Sequence, residues 1–68
     1  MNDEALNLTT RQFLKRFGIT AQREIERAIR ARIEDGTLAG SETIPVRATL
    51  AMPGVLAEIE ITGDIALE

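Results

Sequence analysis

The run Phe13-Leu14-Lys15-Arg16-Phe17-Gly18-Ile19-Thr20-Ala21-Gln22-Arg23-Glu24-Ile25 decides how many helices the chain has. On its N-terminal side Phe13, Leu14 and Phe17 recur at helical spacing, and on its C-terminal side Ile25, Ala28, Ile29 and Ile33 form a second apolar stripe. Between the two stands Gly18. A glycine adopts the left-handed conformation that commonly ends helices, and Ile19 after it can fold back on Leu14 in a Schellman-type contact. Thr20 then offers a side-chain oxygen to the free N–H groups of a new helix. The stretch therefore reads as helix, turn, helix.

Toward the N-terminus, Thr9 with Gln12 three residues on has the form of a capping box, and Leu8 before the cap faces Phe13 after it as a hydrophobic staple. This places the first helix from about Thr10 to Phe17 and leaves residues 1–8 as a frayed or mobile segment ahead of one small domain, residues 9–68. The second helix ends at Gly36. Arg23 near its positive end, and Glu34 with Asp35 near its negative end, oppose the helix dipole, each by a few tenths of a kcal/mol. Pairs Glu24–Arg27 and Glu26–Arg30 partly offset that.

Toward the C-terminus, past a connection of residues 37–42 anchored by Leu38, the apolar period changes from helical to two. Ile44, Val46, Ala48 and Leu50 alternate with Thr43, Pro45, Arg47 and Thr49. Val55, Ala57, Ile59 and Ile61 then alternate with Leu56, Glu58, Glu60 and Thr62. Met52-Pro53-Gly54-Val55 between them is type II turn chemistry. The expected hairpin pairs Leu50 with Ala57, Ala48 with Ile59, Val46 with Ile61 and Arg47 with Glu60. Because a type II turn twists poorly in a two-residue hairpin, a longer loop or a bulge is expected there. Ile65 and Leu67, beyond Gly63-Asp64, form a short third strand or extend the second. The expected fold is α+β: two helices on one face of a small antiparallel sheet, in the order ααββ. Phe13, Leu14, Phe17, Ile25, Ile29, Ile33, Ile44, Val46, Leu50, Ile59 and Ile61 would supply its core.

At 68 residues, with no Cys and no His, the chain lacks the disulfides and structural zinc that commonly staple small domains. Association with another copy is the remaining device. Met1-Asn2-Asp3-Glu4 opens acidic, with no secretory-type or membrane-spanning run after it, so a cytoplasmic protein without membrane contact is expected. No Tyr or Trp is present, Ser41 is the single serine, and no phosphate-binding glycine pattern occurs, so neither an enzyme nor a cofactor is expected. Glu58 and Glu60 share one strand face, but no second kind of catalytic group accompanies them.

Charge is divided along the chain. Seven of the eight Lys and Arg residues lie between Arg11 and Arg32, where the only acids are Glu24 and Glu26; this segment carries +5 and the remainder −8. Arg23, Arg27 and Arg30 share one helix face, with Arg11, Lys15 and Arg16 nearby. They are the candidate partner-binding residues: the basic face of a non-enzymatic protein–protein interaction module, directed at an acidic protein surface or at a second copy of the chain in a homodimer. The alternative is a regulatory protein that binds nucleic acid through the helix-turn-helix appearance of residues 13–33. Against both stands a solvated face whose arginines pair with Glu24, Glu26 and Glu34.

The combination of Phe13-Leu14-Lys15, Gly18-Ile19-Thr20, Gln22-Arg23-Glu24-Ile25-Glu26, Gly36, Leu38, Gly40, Glu42-Thr43-Ile44-Pro45 and Gly63-Asp64-Ile65-Ala66-Leu67-Glu68 resembles a family of short bacterial proteins of unknown function. The resemblance spans nearly the whole chain. It implies a stand-alone bacterial polypeptide and carries no functional residues with it. Ala21 departs from the pattern, which has a serine able to form a capping box with Glu24.

Overall fold

The computed structural model describes residues 1–68. One helix, α1, spans Asp3–Glu34, and two strands follow, β1 at Thr43–Met52 and β2 at Leu56–Ala66. The α+β class holds, with one helix where two were expected and no third strand. Two compact units divide the chain, Met1–Thr37 and Leu38–Glu68.

The helix begins seven residues before the expected Thr10. Asn2 is its cap, in extended conformation, with Oδ1 accepting a hydrogen bond from the Ala5 N–H at 3.0 Å. Asp3 and Glu4 fill the first turn, where negative charge suits the dipole. Thr9 is an interior residue. Its hydroxyl donates to the Ala5 carbonyl at 2.7 Å, the back-bond typical of threonine inside a helix rather than at its start. Gly18, Ile19 and Thr20 are also interior, and Gly18 has no positive φ. A mid-helix glycine costs about 1 kcal/mol relative to alanine. A break there would instead give up several i→i−4 hydrogen bonds and require a second, costly nucleation. Continuity prevails, and no helix-turn-helix exists.

Gly36 ends the helix as expected: its φ of +83° lies in the left-handed region and its N–H donates to the Ile33 carbonyl at 3.2 Å. Arg32 in the last turn pairs with the cap residue Asp35 at 3.0 Å, so the acid expected to oppose the dipole is locally neutralised.

The hairpin is antiparallel, with Leu50 opposite Ile59, Ala48 opposite Ile61, Val46 opposite Gly63 and Ile44 opposite Ile65. The expected register is therefore corrected by two residues, and Arg47 faces Thr62 while Glu60 faces Thr49. Side chains alternate with period two, so an even slip leaves the residues of β1 up to Leu50 and of β2 from Ile59 onward on their expected faces. The slip originates at the turn. Val55 N–H donates to the Met52 carbonyl at 2.9 Å and Gly54 has φ +77°, the type II geometry read from Pro53-Gly54. A bulge between Leu50 and Met52 then absorbs the mismatched twist. The extra residue brings Leu56 opposite Met52 and onto the apolar face, where it is half-buried, leaving Ala57 exposed. Ile65 lies inside β2, and Leu67 beyond it donates its N–H to the Glu42 carbonyl at 3.0 Å, extending the pairing rather than forming a third strand.

No residue of the chain is buried, so none of the eleven expected core residues is. A helix or a two-stranded ribbon offers one apolar face and buries it only against another layer. Phe13, Leu14 and Phe17 are 51%, 53% and 47% exposed, and Ile59 and Ile61 are 40% and 58% exposed. Ala21, Ile25, Ile29 and the inward residues of β1 are half-buried.

Candidate functional site

Joining the two expected helices into one rearranges the basic residues. Around a continuous helix, Arg16, Arg23, Arg27 and Arg30 follow one another at seven, four and three residues and so fall on a single face. Arg16 was read only as a neighbour, because its phase relative to Arg23 exists only when the helix runs through Gly18. Arg11 and Lys15 lie on a different side of the helix. Two residues separate Arg23 from Ile25, a rotation of about 200°, and the stripe of Leu14, Ala21, Ile25 and Ile29 accordingly occupies the opposite face. α1 is amphipathic along most of its length.

The expected local pairing is only partly formed. Glu24 holds Arg27 at 3.4 Å, with both side chains more than half exposed. A pair of that kind contributes about 0.2–1 kcal/mol. Glu26 accepts instead from the Gln22 amide at 3.3 Å, and Arg16, Arg23 and Arg30 have no carboxylate within 4.0 Å. The stripe therefore presents three guanidinium groups without an acidic partner and a fourth held weakly. Guanidinium forks match carboxylate and phosphate oxygens in bidentate geometry.

A second polar feature lies in the connection. The Glu42 carboxylate accepts three backbone N–H bonds, from Ala39 at 2.8 Å, Gly40 at 2.9 Å and Ser41 at 3.1 Å. These bonds, that from Ala39 foremost, hold its pKa below the ordinary 4.5. Hydrogen bonds from Thr37, its side chain first and then its N–H, likewise lower Asp35. A carboxylate lowered in the folded state stabilises above its unfolded pKa, and that contribution is lost as pH falls through the folded value. Protection of the Ala39, Gly40 and Ser41 amides against exchange is therefore expected at neutral pH and is lost as pH falls below the ordinary carboxylate range. In Glu42→Ala that protection should be absent at every pH. Equal exchange in both proteins would dismiss the clasp.

Glu58 and Glu60 lie on the polar face of the hairpin with Arg47, Thr49 and Thr62. No group of three or more His, Cys, Asp or Glu side chains is placed to hold a metal ion, and no helix is long and apolar enough to cross a membrane. An open depression on the hairpin where Gly63 lacks a side chain is bordered by Pro45, Arg47, Glu60, Thr62 and Asp64.

Comparison with known families gives one match: a model described as a family of unknown function (DUF6494) covers residues 1–68. No curated protein and no solved structure matches the chain.

Proposed function

We propose that this chain, which belongs to the family of unknown function whose model spans it, is a non-enzymatic interaction module whose arginine face binds an acidic protein surface. The observation that carries this reading is the stripe of Arg16, Arg23, Arg27 and Arg30 on one face of a continuous helix, opposite the apolar face and paired only at Arg27. Four guanidinium groups at this spacing span about 21 Å, a length suited to a row of carboxylates on a partner. Nucleic acid presents the same anionic chemistry. The helix-turn-helix that favoured it is absent, and a net charge of −3 with an isoelectric point near 4.9 adds long-range repulsion from a phosphate backbone.

The test uses poly-glutamate and a duplex DNA as probes for the wild-type chain and a variant with all four arginines replaced by glutamine. Poly-glutamate is expected to bind the wild type in the low-micromolar to millimolar range and to lose at least about tenfold in affinity with the variant, whose helix content should be unchanged. Preferential binding to DNA, weakening steeply with salt, would replace the acidic-protein reading. Equal binding by the two proteins would remove the arginine stripe from the function.

A further inference from the structure

The two edges of the hairpin are not equivalent. Leu67 N–H donates to the Glu42 carbonyl, which makes Glu42 and Leu67 a hydrogen-bonded pair. Alternation along the antiparallel ladder then makes Ile44–Ile65, Val46–Gly63, Ala48–Ile61 and Leu50–Ile59 hydrogen-bonded pairs as well. The residues between them, Pro45, Arg47 and Thr49 on β1 and Glu60, Thr62 and Asp64 on β2, turn their backbone groups away from the ribbon. Pro45 has no N–H, which interrupts the β1 edge, and the bulge between Leu50 and Met52 distorts it further. From Glu60 to Ala66 the β2 edge has neither proline nor bulge, and in a two-stranded sheet its outward N–H and C=O groups have no partner. We propose that an extended basic segment of another protein adds to this edge as a third strand, with Lys or Arg opposite Glu60 and Asp64.

Charge selects that occupant. The outward-turned residues all carry their side chains on the polar face, where neither Glu60 nor Asp64 has a base within 4.0 Å. Arg47, the one base of the hairpin, lies opposite Thr62. Cross-strand pairs of opposite charge are favourable, and like charges directly opposite are not. A second β2 would bring Glu60 and Asp64 of both copies onto one face with no base on either strand, so these acids guard the edge against self-pairing, as edge charges commonly do. A foreign strand with basic residues at its first and fifth positions meets both acids at once. Its second and fourth residues fall on the other face, beside Ile61 and Ile65, and Gly63 between these two leaves space for an apolar side chain. Main-chain hydrogen bonds then supply affinity and the alternating side chains supply specificity.

This surface belongs to the hairpin and not to the arginine face of α1, so either reading can fail without the other. The test adds the capped peptide Thr-Lys-Val-Thr-Val-Lys-Thr, or the same peptide with Glu in place of Lys, to the isotope-labelled full chain and follows amide exchange. The lysine peptide is expected to slow exchange at Glu60, Thr62 and Asp64, and the glutamate peptide to bind at least about tenfold more weakly. Thr62→Pro removes an outward N–H in the middle of the edge and leaves the bonds between β1 and β2 in place, as Pro45 does on β1, and should abolish binding of the lysine peptide. The double variant Glu60→Lys with Asp64→Lys keeps every backbone donor and should reverse the preference toward the glutamate peptide, a result that stands even where the proline variant does not fold. Unchanged exchange on β2 overturns the proposal, as does slowing at Thr43, Arg47 and Thr49 instead, or equal binding of the two peptides by the wild type. Slow exchange at Glu60, Thr62 and Asp64 without peptide, lost on dilution, would place a second copy on the edge and overturn it too.

Discussion

Ala21→Pro is expected to lose about 3 kcal/mol or more of stability together with a large part of its helical circular dichroism. In the continuous helix Asp3–Glu34, the Ala21 N–H belongs to the interior hydrogen-bond ladder, donating toward the Phe17 carbonyl. Proline removes that donor, and its ring collides with the same carbonyl. At roughly 0.1 kcal/mol of stability per residue for folded domains, such a loss is a large share of what 68 residues supply. The competing geometry predicts the reverse. With a turn at Gly18-Ile19-Thr20 and Thr20 as cap, position 21 would be the first helical residue, where proline is favoured. A tolerated Ala21→Pro would thus restore the two-helix reading. Gly18→Ala provides the opposite sign: Gly18 has no positive φ, and a Cβ there would meet nothing within 4 Å in the chain. Alanine should raise helix stability by about 0.5–1 kcal/mol in dilute solution. If Gly18 ended a helix, the same substitution would destabilise.

These two positions mark where the fold was legible in the sequence and where it was not. The apolar period of two from Ile44 to Leu50 and again from Ile59 to Ile61, the turn residues Pro53-Gly54 and the helix end at Gly36 each have one dominant physical meaning, and each is found in the structure. Gly18 and Thr9 have two. A glycine within an apolar pattern either ends a helix or is carried within it at about 1 kcal/mol, and a threonine either caps a helix or bonds back to the preceding turn. The choice depends on the hydrogen bonds saved by continuity, which no local motif reports. Asn2, the actual cap, lies before the first apolar residues and gave no periodic signal. The two-residue slip of the hairpin was illegible for a related reason, since the bulge at Met52 arises from strand twist and not from a residue type. The arginine stripe was legible at Arg23, Arg27 and Arg30 because they lie within one expected helix. Arg16 joined them only with the helix intact.

The amphipathic hairpin yields the sharpest contrast between neighbouring positions. Ile61 lies opposite Ala48 on the apolar face and Thr62 lies opposite Arg47 on the polar one. Neighbouring side chains on a strand point to opposite faces, so one step along the backbone exchanges the environments. Thr62→Asp is expected to change stability by no more than about 0.5 kcal/mol, as surface substitutions do. Where a further layer covers the apolar face, Ile61→Asp is expected to cost more than about 3 kcal/mol and to abolish cooperative thermal unfolding, since it places an unpaired charge beside Val46, Ala48, Leu50 and Ile59. The size of the difference reports the covering layer. In the single chain Ile61 is 58% exposed, and an aspartate at so open a position would be nearly harmless. A two-stranded ribbon, however, has marginal stability in water unless its apolar face packs on something. Thermal melts of the two variants at equal concentration decide the matter. A large gap requires that the face is covered when the protein is folded, and two indistinguishable melts would mean that the hairpin keeps this face in water.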